Sequence, residues 1–280
     1  MKKRFNKVYI EISNVCNLAC SFCPKTDRAP RFMSLAELAR VLDALTGYTD
    51  YVYFHLMGEP LLHPELAPML ALAGEKCFHV IITTNGTLLE KAGGLLTDAP
   101  AVHKVNISLQ SFEANSRSED VDGYIDTCAA FAKRCAAAGK LCVLRLWNKN
   151  GLESLNPRIE ARLRDHFPDE WSPSRQSLRL ADRVYLEFGE KFDWPDLTAD
   201  EGGAGRFCYG LRDQLGILCD GTVVPCCLDH NGDLALGNLF ETPLSAILAG
   251  QRAKAIFNGF SNRKAVEELC RKCGYVGRFG

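Results

Sequence analysis

The sequence predicts an α/β fold: a partial (β/α)6 barrel followed by a small C-terminal domain made of a β-hairpin and a helix. Short runs rich in Val, Ile and Tyr alternate with helix-like segments, and several runs are apolar on both faces. A parallel sheet covered by helices has these two features. The polar motifs also follow directly after the runs, as in barrels whose functional loops lie at the carboxyl ends of the strands.

The first two thirds of the chain contain a repeating β–α pattern. The predicted strands are 7–12, 51–57, 79–84, 103–109, 140–146 and 183–188. The predicted helices are 35–45 with Ser34 as N-cap, 64–74, 88–96, 123–138 and 154–166.

The last third follows a different pattern. The stretch 168–205, rich in Pro, Gly and Asp, interrupts the repeat, so we predict a core domain over 1–190, a linker over 191–206 and a second domain over 207–280. Two runs around Asp220 and Gly221 predict a hairpin with an Asp-Gly turn. A helix is predicted at roughly 243–258.

Composition argues against several classes of protein, among them nucleic-acid-binding proteins. Of 280 residues, 47% are apolar and 24% are charged, with a net charge of −1, so the chain has ample core material and no global charge that attracts nucleic acid or a membrane. It lacks the basic, aromatic-interleaved patch of an RNA-modifying enzyme. We see neither a signal peptide nor a long apolar run, and therefore expect a cytoplasmic protein without a membrane partner.

Three cysteines follow the first predicted strand: Cys16, Cys20 and Cys23. A structural zinc site uses four ligands and disulfides use pairs, so three is an unusual number. Cysteine thiolates also ligate iron–sulfur clusters, and three of them leave one iron of a [4Fe–4S] cluster open to an external ligand. Partial zinc binding and chance placement of small core residues remain as alternatives.

A second set is formed by Cys208, Cys226, Cys270 and Cys273, with a C-x2-C pair at its end. Such a pair is typical of metal ligands, and a structural zinc site is the alternative to a cluster. Cys219 and Cys227 could replace Cys226. The remaining cysteines are predicted to be packing residues: Cys77, Cys128, Cys135 and Cys142.

The pattern C-x3-C-x-Φ-C formed by Cys16, Cys20, Phe22 and Cys23 resembles the signature of the radical S-adenosylmethionine superfamily, also in its position after the first strand. "MGEP" at 57–60 resembles the Gly-Gly-Glu element of that family, although Met57 replaces the first glycine.

The C-terminal sequence resembles the family's auxiliary domains. "GTVVPC" at 221–226 and "LGNLFETPLSAI" at 236–247 resemble SPASM and Twitch domains, and four cysteines match the shorter Twitch form. In length and cysteine arrangement the chain is similar to Twitch enzymes of the 2-deoxy-scyllo-inosamine dehydrogenase type.

The resemblance implies two [4Fe–4S] clusters and S-adenosylmethionine as cofactors. Cys16, Cys20 and Cys23 would ligate the cluster that binds S-adenosylmethionine, with Phe22 against its adenine and Gly58 and Glu59 receiving its ammonium group. The second cysteine set would ligate an auxiliary cluster: Cys208, Cys226, Cys270 and Cys273.

Polar residues at the strand ends would complete the cosubstrate site. The resemblance implies contacts to ribose and carboxylate from Asn85, Ser108 and Gln110, and contacts to the cosubstrate carboxylate or to substrate from Arg145. Ordinary turn residues are the alternative for the first three, a solvated loop acid is the alternative for Glu59, and a snorkelling edge arginine is the alternative for Arg145.

The implied reaction begins with reductive cleavage of S-adenosylmethionine to a 5′-deoxyadenosyl radical, which abstracts a substrate hydrogen. An auxiliary cluster as electron acceptor favours net two-electron oxidation, a dehydrogenation. The alternatives are a ribosomal-peptide maturase, forming thioether or carbon–carbon crosslinks or epimerising a residue, and a non-enzymatic electron carrier or redox sensor.

The expected partners are a small-molecule or peptide substrate and a reductant such as flavodoxin or ferredoxin. The sequence does not select a catalytic acid or base among His55, Glu59, Glu187 and Glu190, nor does it identify the substrate.

Overall fold

One mixed sheet organises the chain. The computed structural model describes residues 5–115, 120–202 and 207–279. Its strands are β1 (Lys7–Ile10), β2 (Tyr51–Phe54), β3 (His79–Thr84), β4 (Val102–Ser108), β5 (Leu141–Lys149), β6 (Ser172–Ser174), β7 (Ser177–Ala181), β8 (Val184–Glu190), β9 (Gln214–Ile217), β10 (Thr222–Val224) and β11 (Gly237–Asn238).

The strands β1 to β5 and then β8 lie side by side, each parallel to its neighbour. These are the six predicted strands, and the α/β partial-barrel prediction is confirmed. Parallel neighbours place all their carboxyl ends at one edge, so the loops that follow the strands converge there.

The helices are α1 (Leu35–Leu45), α2 (Leu66–Glu75), α3 (Leu89–Asp98), α4 (Gln110–Glu113), α5 (Val121–Ala137), α6 (Asn156–His166), α7 (Leu244–Ala249), α8 (Gln251–Ser261) and α9 (Glu268–Arg271). Ser34 caps α1 as predicted, and Glu37 completes a capping box. The five predicted barrel helices are confirmed. The single helix predicted at 243–258 is wrong: α7 ends before Gly250 and α8 begins after it, because the extended backbone of Gly250 (ψ 156°) interrupts the helical hydrogen bonds.

No helix of the described residues is long and apolar enough to cross a membrane.

The two faces of the sheet bury different residues. One face packs under the helices in a large apolar core that includes Val8, Val52 and Ile107. The other face encloses a smaller cluster around Tyr9, Leu56, Met57, Leu218 and Val224. Both faces are therefore covered, as the strands that are apolar on both sides predict.

The C-terminal hairpin continues the barrel sheet. β9 pairs in parallel with β1, and β10 folds back on β9 through a turn in which Gly221 has φ +85°. The Asp-Gly turn is thus confirmed, because glycine adopts a positive φ without strain. The predicted linker therefore joins two parts of one sheet; its residues 203–206 lie outside the described ranges.

The stretch predicted as irregular contains an element that the sequence did not indicate. β6 and β7 form a hairpin that pairs antiparallel with β8 at the edge of the sheet. Pro173 lies in β6, the outermost strand, where a missing backbone donor costs little.

Candidate functional site

The three N-terminal cysteines lie in the loop between β1 and α1, at the carboxyl edge of the sheet. Cys16 is exposed, and Cys20 and Cys23 are half-buried. Burial raises the pKa of all three thiols, and for Cys16 and Cys20 the neighbouring thiols raise it further. The loop therefore brings the three sulfur atoms together, as the spacing predicts.

Each of these sulfur atoms accepts from nitrogen donors. The backbone N–H groups of Leu18 and Lys25 each lie 3.4 Å from the Sγ of Cys16 and Cys23 respectively. The Asn115 side-chain amide donates to Cys20 Sγ at 3.1 Å. Such donors favour the thiolate, which is the form that ligates iron, and they tune the potential of a cluster. The loop fits a cluster ligated by three cysteines.

Gly58 fixes this loop against the end of β2. Its φ of +75° is in the left-handed region, and a Cβ there would lie 2.4 Å from the carbonyl oxygen of Ser13. The N–H of Glu59 donates to the carbonyl of Val15 at 2.8 Å. "MGEP" thus holds the cysteine loop through backbone contacts that only glycine permits.

The Glu59 carboxylate is buried and joins the ends of β2 and β3. It accepts from the N–H of Leu61 at 3.0 Å, the hydroxyl of Thr84 at 2.8 Å and the N–H of Asn85 at 2.7 Å. Burial raises its pKa, and the three hydrogen bonds oppose that rise. Glu59 is 1% exposed, so the alternative of a solvated loop acid is wrong.

The other residues predicted to contact the cosubstrate differ in the hydrogen bonds that their side chains already make. The Asn85 amide donates to Asn17 at 2.9 Å and accepts from Thr87, which supports the cysteine loop. Ser108 is half-buried at the end of β4. Gln110 is buried, and its Oε1 accepts no hydrogen bond from the described residues. Gln110 therefore presents an open acceptor at the carboxyl edge.

Phe22 and Arg145 lie in different elements, the cysteine loop and β5. Phe22 is half-buried in the cysteine loop. Arg145 stacks on the Trp147 ring at 4.5 Å and its side chain is 15% exposed. Since β5 lies between β4 and β8, the alternative of a snorkelling edge arginine is wrong.

The four C-terminal cysteines line one cavity: Cys208, Cys226, Cys270 and Cys273. Burial raises the pKa of Cys226 and Cys270, and neighbouring thiols raise it further. No three His, Cys, Asp or Glu side chains in the described part of the chain are close enough to hold a single metal ion. Four thiols around an apolar cavity fit a [4Fe–4S] cluster, in which each iron takes one thiolate.

The two alternative cysteines differ in their surroundings. Cys227 is half-buried beside the Tyr9 hydroxyl and also neighbours the thiols of Cys226 and Cys208. The guanidinium of Arg28 lies 3.6 Å from the Sγ of Cys219. Cys128, Cys135 and Cys142 are buried, as expected of packing residues, but Cys77 is exposed. That prediction for Cys77 is wrong, because the residue follows the end of α2 rather than lying within it.

A buried ion pair, not indicated by the sequence motifs, joins the two cysteine regions. Arg28 Nη2 lies 2.6 Å from Glu11 Oε1, and Glu11 is fully buried. Glu11 Oε2 accepts from the N–H of Cys219 at 3.1 Å, and Arg28 Nε donates to the carbonyl of His230 at 3.0 Å. We call these four residues the brace. The sequence feature that could have indicated this ion pair is Glu11, an acid at the end of an apolar predicted strand.

The other overlooked contact to the site is Asn115, which donates to Cys20 from a residue 95 positions away. Because the two residues are so far apart in the sequence, no local sequence pattern indicates their contact.

Comparison with protein families adds a second line of evidence. A sequence model of the Radical SAM superfamily matches residues 10–144, and a model described as an iron–sulfur cluster-binding domain, SPASM, matches residues 208–274. The two matches contain the two cysteine sets.

Curated relatives include GTP 3′,8-cyclases and an Fe-coproporphyrin III synthase. The chain is 30% identical over 281 residues to GTP 3′,8-cyclase 2 of Pseudomonas aeruginosa, covering 86% of this chain and 84% of the relative. It is 33% identical over 110 residues to the GTP 3′,8-cyclase of Chlorobaculum tepidum, a match that spans 38% of this chain and 33% of that relative.

Solved structures share the fold. BtrN in complex with AdoMet and 2-DOIA superposes with a TM-score of 0.64 at 18% identity, covering 98% of this chain and 94% of that one. Streptococcus suis SuiB bound to the precursor peptide SuiA gives a TM-score of 0.59 at 18% identity, covering 98% and 70%.

Replacing Gly58 by Ala tests the contact between the cysteine loop and β2. The added Cβ meets the Ser13 carbonyl at a positive φ, so we expect the free energy of unfolding in urea to fall by about 3 kcal/mol. Gly94 lies in α3 with open space where a Cβ would lie, and Gly94→Ala should raise the free energy of unfolding by up to about 1 kcal/mol. If the two substitutions change the free energy of unfolding equally, the close contact of Gly58 with the cysteine loop does not stabilise the protein.

Replacing Arg28 by Met tests the brace. The change leaves the buried Glu11 carboxylate without its cation, and we expect a loss of roughly 3 kcal/mol in unfolding free energy. Arg158→Met is the control, because Arg158 and Asp122 form an exposed pair whose loss should change the free energy of unfolding much less. A loss for Arg28→Met no larger than for the control would show that the brace is not stabilising.

Proposed function

Since the chain belongs to the radical S-adenosylmethionine superfamily, we propose that it is an oxidoreductase that removes two electrons from its substrate, a dehydrogenation. Its cofactors are S-adenosylmethionine and [4Fe–4S] clusters, one of them auxiliary. The proposed ligands are the two cysteine sets: Cys16, Cys20 and Cys23 for the first cluster, and Cys208, Cys226, Cys270 and Cys273 for the auxiliary cluster.

The observation that carries this proposal is the difference between the two sets. Three thiols leave one iron of the first cluster open for the cosubstrate. Four thiols around one cavity leave no iron open, so the auxiliary cluster would be restricted to electron transfer. An electron acceptor beside the barrel is what a net oxidation requires.

When bound, these groups supply a 5′-deoxyadenosyl radical that takes one hydrogen atom, and an acceptor for the second electron, while the hydroxyl proton of the substrate leaves to a base. The reducing electron would come from a partner such as flavodoxin or ferredoxin.

The chain's own residues orient and shield this chemistry. The N–H groups of Leu18 and Lys25 and the amide of Asn115 favour the thiolates. Gln110 Oε1 is an unpaired buried acceptor at the carboxyl edge and is suited to a hydroxyl or ammonium donor of the cosubstrate. Glu59 acts by holding the ends of β2 and β3 together, with its remaining lone pair available to an ammonium group.

Formation of 5′-deoxyadenosine tests the assignment of the first cluster. Anaerobically reconstituted protein with S-adenosylmethionine and dithionite should form it, and Cys16→Ala should lower the rate by more than about a hundredfold, because the cluster loses a ligand. Cys77→Ala is the control, since Cys77 is an exposed cysteine outside both sets. If Cys16→Ala and the control keep the same rate, the assignment is wrong.

A substrate screen tests the oxidation itself. With sugar-like alcohols we expect one 5′-deoxyadenosine for each product molecule that is lighter by two hydrogens. Cys226→Ala should still cleave S-adenosylmethionine but should not form that product. An isomer of unchanged mass, or a crosslinked peptide formed from ribosomal precursors, would replace the dehydrogenase by a redox-neutral enzyme or a peptide maturase.

A further inference from the structure

Alternate residues of β4 and β5 face away from the helices and carry polar groups. Lys104, Asn106 and Ser108 alternate with Val105 and Ile107, which lie in the core under the helices. Lys104 lies four positions before the end of β4, which places its backbone about 13 Å from the carboxyl edge where the cysteine loop lies. The barrel interior therefore has polar groups well below the cosubstrate site.

The charges inside the barrel do not balance. Lys104 interacts with Arg145 and with Lys7, which is exposed at the start of β1, and Glu187 is the acid that interacts with Lys104 and Arg145. Burial, followed by the charge of Arg145, lowers the pKa of Lys104 to about 8. The field of this region is positive, and a cation whose pKa is lowered in this way is stabilised by an anion.

Arg145 is only partly paired. Its Nε lies 3.5 Å from Glu187 Oε2, and this buried Nε makes no hydrogen bond within the described residues. The side chain also interacts with Tyr9 and Tyr53, and its backbone is in register with Ser108 at the end of β4. Glu187 is thus a distant acceptor for the buried Nε, and an anionic ligand would supply a closer one.

Aromatic rings line the same space. Trp147 lies under the Arg145 guanidinium, and the Tyr9 and Tyr53 rings lie 5.0 Å apart. His55 is packed edge-on against Tyr9, and burial lowers its pKa to about 3, so it adds no charge at neutral pH. The pocket is thus cationic with mostly apolar walls, and such walls strengthen the attraction for an anion.

We propose that the barrel interior is an anion pocket in which Arg145 and Lys104 bind a carboxylate or phosphate group of the substrate. One part of this proposal, that the ligand is a substrate, rests on the proposed function. Of the two partners predicted for Arg145 from the sequence, the proposal selects the substrate over the cosubstrate carboxylate, because the guanidinium interacts with Lys104, Tyr9 and Tyr53.

Anion binding is measured without turnover. Reconstituted protein without S-adenosylmethionine or reductant is titrated with inorganic phosphate at constant ionic strength, and the unfolding temperature is followed by circular dichroism. Phosphate should raise it, and the apparent Kd should weaken about tenfold or more in Arg145→Met and in Lys104→Met. Lys104→Met removes a positive charge that lies near Arg145. Without phosphate, this variant should therefore be at least as stable as the parent protein.

Arg164→Gln is the matched control. Arg164 stacks on Trp171 at 4.1 Å at the end of α6, outside the barrel, and its loss should leave the effect of phosphate unchanged. The same titration with acetate distinguishes the two ligand groups: stabilisation by acetate as well assigns a carboxylate, and stabilisation by phosphate alone assigns a phosphate ester. No stabilisation by either anion, or equal stabilisation of all three variants, would overturn the pocket.

The two proposals fail separately. Anion binding without 5′-deoxyadenosine formation keeps the pocket and rejects the radical enzyme. Formation of 5′-deoxyadenosine without anion binding keeps the enzyme and rejects the pocket.

Discussion

The buried ion pair between Glu11 and Arg28 is the interaction on which the arrangement of both cysteine sets depends. Glu11 directly follows the first barrel strand and Arg28 belongs to the cysteine loop. The same two side chains form hydrogen bonds with the backbone of Cys219 and His230 in the C-terminal part. A carboxylate that is 0% exposed is tolerated only when it is paired and hydrogen-bonded. Its pairing fixes the loop that carries three thiols relative to the hairpin that leads to Cys226.

The sheet provides the second constraint. Because β9 pairs with β1, the strand that leads into the cysteine loop also supports the C-terminal hairpin. The barrel and the second cysteine set therefore form one structural unit, which is what electron transfer from a substrate in the barrel to an auxiliary cluster needs. In the proposed anion pocket, Arg145 and Lys104 would select a substrate with a negatively charged group.

Features with a short-range signal could be predicted from the sequence, and long-range contacts could not. The six strands follow from their β-branched runs, the Ser34 cap from its capping box, and both cysteine sets from spacing. The brace and the bond from Asn115 to Cys20 join residues far apart in sequence, so no local pattern indicates them. Lys104 and Arg145 had a usable signal, since polar residues at alternate positions of an otherwise apolar strand face the side without helices. The break between α7 and α8 could not be predicted, because it depends on the backbone conformation of Gly250.

The count of iron and acid-labile sulfide tests the central claim, that two different cysteine sets hold two separate clusters, most directly. The count is made on the anaerobically reconstituted protein and on a variant with Cys16, Cys20 and Cys23 all replaced by Ala. The account predicts that the variant keeps about four iron and four sulfide atoms per chain, held by the second set. A variant that holds no iron and one zinc would contradict it, and the net oxidation would then lose its electron acceptor.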